Sequence, residues 1–335
     1  MNDSPTPSPT PLVDAHAHFV TDAYVTAAKA AGHTHPDGMP GWPSFDPADQ
    51  LRRMDEGGIA TAMLSISSPG THFGDDRAAR TLSREVNEAG AALHRAHPDR
   101  FGHFASLPLP DVGGSLAEAA HALDVLGSDG LTVESNAHGV YLGDERYEPL
   151  WAELDRRRAI VFVHPTSPPC ADAVSLRRPR PMAEFIFDSA RTASDLVFSG
   201  VLLHHPGIRW ILTHGGGALP LLADRLELFR PRLSRTGPEG PTVPEQLSGV
   251  WFDMAGTPFP HQIPALVRAF GSERLLYGSD SCWTPPEAVA AQLASLDTAD
   301  QPPGTTWRSL TTTNATRLFP HLRLPQPEGG EGQGT

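Results

Sequence analysis

Near the N-terminus, Leu12-Val13-Asp14-Ala15-His16-Ala17-His18-Phe19 sets two histidines two residues apart. Alternate side chains of a strand share a face, so both imidazoles project together. Neutral imidazole nitrogens suit zinc, manganese or iron, and two of them on one rigid strand end need little further ordering to grip an ion. In a chain with 16 histidines the pair by itself fits coincidence as well as it fits a ligand pair. Three later segments bear on that choice. Ile160-Val161-Phe162-Val163-His164 and Trp210-Ile211-Leu212-Thr213-His214 are apolar runs ending in histidine, and Leu276-Tyr277-Gly278-Ser279-Asp280 ends in a carboxylate. If Ile160, Phe162 and His164 face inward, strand parity turns Trp210, Leu212 and His214 inward, and likewise Leu276, Gly278 and Asp280. His16, His18, His164, His214 and Asp280 then meet at one mouth.

The elements needed to position them are legible as an alternation. Strand-like runs cover Leu12 to His16, Ala60 to Ile66, Gly102 to Leu107, Gly130 to Glu134, Ile160 to His164, Arg209 to His214, Val250 to Met254 and Leu275 to Gly278. Between them lie segments rich in Ala, Leu, Glu and Arg at helical spacing, such as Arg77 to His97, Ser115 to Leu126, Glu148 to Arg157 and Ala183 to Ser199. Eight such units argue for an α/β fold of the (β/α)8 TIM-barrel type rather than an open doubly wound sheet. Longer connections at Gly32 to Phe45 and Pro165 to Pro181 follow strands 1 and 5, on the C-terminal face where barrel active sites lie. A third, Pro231 to Gly249, precedes strand 7. The barrel is expected over 11–322, with disordered tails at 1–10 and 323–335, whose composition cannot bury a core.

Composition narrows the partners. The net charge of −13 argues against nucleic acid and anionic membranes, and no apolar run is long enough for a bilayer span. Cys170 and Cys282 cannot build a disulfide framework, and the Pro/Ser/Thr-rich start lacks the basic and apolar regions of a signal peptide. A soluble cytoplasmic protein is expected.

The four motifs, in this order and spacing, resemble the amidohydrolase superfamily, over about residues 12–320. Val161-Phe162-Val163-His164-Pro165, Thr213-His214-Gly215-Gly216-Gly217-Ala218-Leu219-Pro220 and Tyr277-Gly278-Ser279-Asp280 are similar to its decarboxylase branch, the aminocarboxymuconate-semialdehyde decarboxylase-like family. The resemblance implies that His16, His18, His164 and Asp280 bind one divalent metal, zinc first and manganese second, with His214 beside it. Binuclear members bridge two ions with a carboxylated lysine, but strand 4 reads Gly130-Leu131-Thr132-Val133-Glu134 and Lys29 is the only lysine, which excludes a lysine-bridged pair. Gln50 and Thr166 stand where the aminocarboxymuconate enzyme has an arginine and a tryptophan. The runs His164-Pro165-Thr166-Ser167-Pro168 and Tyr147-Glu148-Pro149-Leu150-Trp151 look closer to the 6-methylsalicylate decarboxylase subgroup. After strand 8 the family usually continues Asp-Phe-Pro, whereas here Asp280 is followed by Ser281-Cys282-Trp283, which leaves the substrate open. The resemblance also implies a homodimer in which Arg225, Arg230 or Arg232 reaches the partner's site.

The implied activity is non-oxidative decarboxylation of a small aromatic carboxylate bearing an ortho hydroxyl. The metal holds the substrate and Asp280 carries the proton to the ring carbon that bears the carboxylate, with His214 balancing charge. Phe19, His72, Phe73, Trp283 and Phe259 are candidate ring walls. Among the residues after strand 4, Glu134, Ser135, Asn136 and His138, one is expected to touch substrate. Hydrolysis of an amide, ester or lactone by a metal-activated water is the alternative that the same ligands allow. A catalytically idle barrel would show a damaged ligand set, and all five residues are present. Asp14 reads as a buried hydrogen-bonded carboxylate or an orienting partner of the ligands. Gly215-Gly216-Gly217 reads as either an anion cradle or a tight turn. Asp253 either lines the site or pairs within the barrel.

Overall fold

The computed structural model describes residues 10–324. Eight parallel strands form one sheet in sequential order: β1 (Leu12–His18), β2 (Ile59–Ser65), β3 (Phe101–Ser106), β4 (Gly130–Glu134), β5 (Ile160–His164), β6 (Arg209–Leu212), β7 (Trp251–Asp253) and β8 (Leu275–Leu276). The sheet closes where Asp14 bridges Tyr277 and Ala17 bridges Ser281, so the architecture is a (β/α)8 barrel. Around it run α1 (Asp22–Ala30), α2 (Pro47–Gly57), α3 (Asp76–Ala96), α4 (Val112–His121), α5 (Glu148–Arg157), α6 (Glu184–Ser199), α7 (Leu219–Leu233), α8 (Ile263–Phe270), α9 (Pro286–Thr298) and α10 (Trp307–Leu318).

Local chemistry sets these boundaries. Asp46 caps α2 by accepting from the amides of Ala48 and Asp49, Pro47 fills the first helical position, and Gly58 ends the helix at φ 67°. Asp75 caps α3 and Thr306 caps α10 in the same way.

Every strand except the ends of β4 and β6 is buried on both faces, as a barrel wrapped by helices requires. Inside, Val13, Ala15, Met63, Phe104, Phe162, Ile211 and Leu276 fill the lower barrel, and Phe319 packs against Phe104 with a centroid separation of 6.0 Å. Outside, Leu64, Val161, Val163, Trp210 and Leu212 meet the helices.

This packing changes the parity expected for β6. Val161 pairs with Trp210 and Phe162 with Ile211, so Ile211 faces the interior. Trp210 and Leu212 instead face outward, Trp210 lying 5.1 Å from the Trp151 ring of α5. A second departure lies in β1. Asp14 pairs with Ala62 and Ala17 with Leu64, three steps against two, so β1 carries a bulge. The bulge lets Val13 and Ala15 fill the lower barrel while His16 and His18 also face inward above them.

Of the expected tails, Thr10 and the pair Arg323 and Leu324 are described. Thr10 bonds the Ser309 hydroxyl at 2.9 Å, and Leu324 packs on the lower barrel cluster. The rest of both expectations lies outside the described residues.

Candidate metal centre

His16 and His18 reach the barrel mouth from the upper half of β1, past its bulge, with their Nε2 atoms 2.9 Å apart. His164 joins them from the last position of β5. Asp280 arrives after β8 has ended. The amides of Ser279 and Asp280 both donate to the His16 carbonyl, at 3.2 and 2.8 Å, and Asp280 takes φ 58°. Gly278 permits this approach, because a Cβ there would lie 2.8 Å from that of His16. Asp280 Oδ1 then stands 3.4 Å from His16 Nε2 and 3.2 Å from His18 Nε2. Ligand atoms of His16, His18, His164 and Asp280 all lie within 4.8 Å of one another.

The far side of each ring supports metal binding. His16 Nδ1 faces Asp253 Oδ2 at 2.9 Å, His18 Nδ1 faces the Ser65 hydroxyl at 3.0 Å, and His164 Nδ1 faces the Pro165 carbonyl at 2.8 Å. An outer oxygen that takes the Nδ1 proton leaves the Nε2 lone pair for an ion. Two ring nitrogens aimed at each other and a carboxylate oxygen near both form a nest that wants positive charge. Burial opposes a proton on His16, but Asp253 and Asp280 outweigh it and push its pKa up to about 10. Burial and the neighbouring imidazoles hold His164 well below the usual histidine range. Burial alone would raise Asp280, yet the bonds from His16, His18 and His214 hold it well below the usual carboxylate range. The donor set therefore fits one divalent ion with nitrogen and oxygen ligands. Lys29, the only lysine, is exposed on α1.

His214 enters by a turn rather than by strand parity. β6 ends at Leu212, and His214 adopts φ 52° with its amide donating to Asp253 Oδ1 at 2.9 Å. Its Nε2 stands 3.6 Å from Asp280 Oδ2, and its carbonyl accepts from Gln262 Nε2 at 2.5 Å. The glycines that follow serve close packing, since a Cβ on Gly217 would lie 2.1 Å from the Ile186 carbonyl.

Above the centre opens a cavity of about 420 Å³ that His164, His214, Asp280 and Trp283 line. Trp283 leans on Trp42, centroids 5.6 Å apart. A second cavity of about 400 Å³ lies alongside, lined by His33, His72, His138 and Glu134. A row of side chains separates the two. Ser68 Oγ donates to Asp37 at 2.7 Å and lies 2.7 Å from Thr166 Oγ1, while Ser167 Oγ donates to Asp37 at 2.5 Å.

The other expected wall residues lie elsewhere. Phe19 is buried between Phe45 and His103 outside the barrel wall, because it follows inward-facing His18 and so points to the helices. Phe73 rests on His33 and Tyr24, and Phe259 on Trp307. His72 and Glu134 belong to the second cavity. Glu134 Oε2 comes within 3.7 Å of His164 Nδ1, and burial, with Asp37 nearby, pushes this carboxyl well above its usual range. Asp14 Oδ1 accepts from the amides of His16 and Ser279, pinning the β1 bulge to the turn after β8. Gln50 donates to the Ser281 hydroxyl at 3.1 Å behind that turn. Burial pushes the Cys282 thiol up to about 12, leaving it a poor nucleophile.

Sequence reasoning missed Asp37, Ser67, Gln262 and the apolar group Met39, Met182, Phe185 and Ile186, all of which line the cavity above the metal centre. The long connection after β1 carried a signal for Asp37 and Met39, and the one after β5 ends at Pro181, one residue before Met182. Nothing in the sequence distinguished Phe185 and Ile186 from ordinary residues of a helix start.

Comparison with known proteins matches residues 13–321 to the amidohydrolase family. The chain is 35% identical over 329 residues to the 6-methylsalicylic acid decarboxylase acuB of Aspergillus aculeatus, covering 95% of this chain and 98% of that one. It is 35% identical over 333 residues to the decarboxylase yanB of Aspergillus niger, covering 93% and 88%. A crystal structure described as amidohydrolase II superposes with a TM-score of 0.87 at 32% identity, covering 92% and 99%. A dihydroxybenzoic acid decarboxylase from Polaromonas, solved with manganese and 2-nitroresorcinol, shares the fold at 21% identity with a TM-score of 0.79, covering 93% and 97%.

Proposed function

The chain belongs to the amidohydrolase family, and from that premise we propose that it is a metal-dependent, non-oxidative decarboxylase of a small aromatic acid, with the carboxylate beside a hydroxyl. The observation that carries this is the convergence of His16, His18, His164 and Asp280 within 4.8 Å at the floor of a cavity walled by apolar side chains. Kinship with named decarboxylases along nearly the whole chain favours carbon–carbon cleavage over hydrolysis.

His16, His18, His164 and Asp280 would hold a divalent ion, which would supply positive charge for an anionic substrate. Zinc is the first candidate and manganese, present in the Polaromonas enzyme, the second. Asp280 begins ionised, held so by its histidine partners, and must take up a proton before it can give one. His214, 3.6 Å away at the edge of the cavity, is placed to hand it over and to recover another from solvent. Asp280 then protonates the ring carbon bearing the carboxylate, the bond to the carboxyl carbon breaks, CO2 leaves and its electron pair restores the aromatic ring. Net consumption is one proton per turnover. Trp283 and Phe185 exclude water from the protonated ring.

A homodimer accords with exposed apolar side chains on α7, where Leu221 and Leu228 share one face at 83 and 64% exposure and Leu233, farther round the helix, is 65% exposed. Arg225 and Arg232 stand exposed on the same helix, whereas Arg230 is buried against Glu227 and the Gly237 carbonyl in its own subunit. A cytoplasmic setting suits the free thiols Cys170 and Cys282. No described helix is long and apolar enough to cross a membrane.

The test is incubation of the purified, metal-analysed protein with 6-methylsalicylate and other ortho-hydroxy acids. CO2 and the matching phenol are expected in equal amounts. Release of amine or acid from amides, esters or lactones without CO2 from any aromatic acid overturns the reading.

A further inference from the structure

The cavity above the metal centre is larger than a bare hydroxybenzoate requires. Its volume of about 420 Å³ falls in the range, roughly 300–1,000 Å³, of pockets that enclose drug-sized molecules. Its chemistry is divided. The end of β5 and the turns after β6 and β8 contribute the floor through His164, His214 and Asp280, the loops after β1, β5 and β8 contribute Met39, Pro181, Met182 and Pro285, the start of α6 adds Phe185 and Ile186, and Asp37, Thr257, Gln262 and Thr284 add polar groups elsewhere in the lining. No arginine or lysine is among the described residues lining it. The wall is also compliant, since two of these residues are unbranched methionines and Met182 is 62% exposed.

A substituent on the ring meets different surfaces in different directions. Toward the polar cavity, the bonded row of Asp37, Ser68, Thr166 and Ser167 closes the way. Toward Met39, Met182, Phe185 and Ile186 it meets apolar surface, whereas Thr257, Gln262 and Thr284 stand on other sides of the cavity. The Gly217 turn holds the start of α6 close to the metal floor, because its backbone packs against the Ile186 carbonyl. Phe185 lies 6.0 Å from the His164 ring, so the apolar wall begins directly beside the place where the reacting ring must sit.

We propose that the acid taken by this site carries an alkyl substituent longer than methyl, seated against the wall of Met39, Met182, Phe185 and Ile186. This rests on the decarboxylase reading above and narrows its substrate to alkylated hydroxybenzoates. The apolar wall rewards each methylene it covers and offers nothing to a charged tail.

The test compares kcat/KM for salicylates carrying methyl, propyl or pentyl at the 6-position, with a 6-(2-carboxyethyl) analogue as the charged counterpart of propyl. Each covered methylene is expected to raise kcat/KM roughly fourfold, equivalent to about 0.8 kcal/mol, so propyl exceeds methyl by about tenfold or more. The carboxyethyl acid falls below methyl. Ile186→Trp fills the wall, and in it the propyl-to-methyl ratio drops to one or less. If that variant does not fold, the wild-type series decides alone. Methyl equal to or better than propyl overturns the inference and leaves decarboxylation standing. CO2 from no member of the series overturns the decarboxylase reading and this inference with it.

Discussion

Asp253 and His16 are joined at the barrel mouth, Oδ2 to Nδ1 at 2.9 Å with both side chains fully buried. The other oxygen of Asp253 accepts the amide of His214 at 2.9 Å and that of Ala255 at 3.0 Å. One carboxylate therefore sets the tautomer of His16, a candidate metal ligand, and the backbone turn that aims His214, the histidine proposed to handle the proton. Asp253→Asn offers an N–H or a neutral oxygen in its place, and neither orients His16 as a carboxylate does. Metal affinity is expected to fall about 10- to 100-fold, with turnover at saturating metal also reduced because His214 shifts. Competition with a chelator followed by metal analysis measures the first effect. Unchanged affinity would show that Asp253 only braces the turn.

Asp280→Asn separates holding from proton delivery. The amide oxygen can still face the ion, but the side chain can no longer carry a proton to carbon. With metal resupplied, kcat is expected to fall by about 10²- to 10⁴-fold, and the variant should still bind the aromatic acid. Retention of both metal and turnover removes Asp280 from the role of proton carrier.

His103 sits in β3, 2% exposed, near Ser128 and against Phe19. Burial lowers its pKa to about 4, so it is neutral in the fold. The unfolded chain binds this proton near pH 6.5 and the folded chain does not. Stability from this group is therefore complete above about pH 6.5 and is lost as pH falls toward 4. The loss approaches about 3 kcal/mol. His103→Gln should flatten this part of the curve relative to wild type. Parallel denaturation curves at pH 7 and pH 4.5 decide it.

Much of the barrel and the convergence of the candidate ligands were legible in the sequence, for identifiable reasons. Inward parity of Ile160, Phe162 and His164 holds because β5 is regular and its last residue is itself the candidate ligand. The same reasoning fails on β6, where Trp210 faces α5, and His214 is recovered only because the chain turns through φ 52° at that residue. Asp280 likewise depends on φ 58° and on two amides sharing the His16 carbonyl. Period-two patterning carries no information about such turns, nor about a bulge within β1. The walls were less legible still. Phe19 looks like a ring wall by adjacency to His18, yet adjacency on a strand means opposite faces. Phe185 and Ile186 reach the cavity through the packing of α6 on the Gly217 turn, a contact between distant segments.

The exposed apolar side chains of α7 yield the last prediction. Leu221 and Leu228 lie seven residues apart, two helical turns, on one face, with Leu233 farther round the helix and Arg225 across the Phe229 ring at 5.5 Å. A monomer gains nothing by exposing these side chains, whereas a second subunit could cover them. Leu228→Glu leaves the barrel core untouched, since Leu228 is 64% exposed, so thermal stability of the isolated chain should change little. In a dimer the new carboxylate would be buried without a partner, and the dissociation constant should rise by about 100-fold or more. Sedimentation across a concentration series measures this. Arg225→Ala supplies the companion test. If that guanidinium serves the neighbouring cavity, the variant stays dimeric and loses activity. If it serves only this surface, activity at dimer-saturating concentration is unchanged.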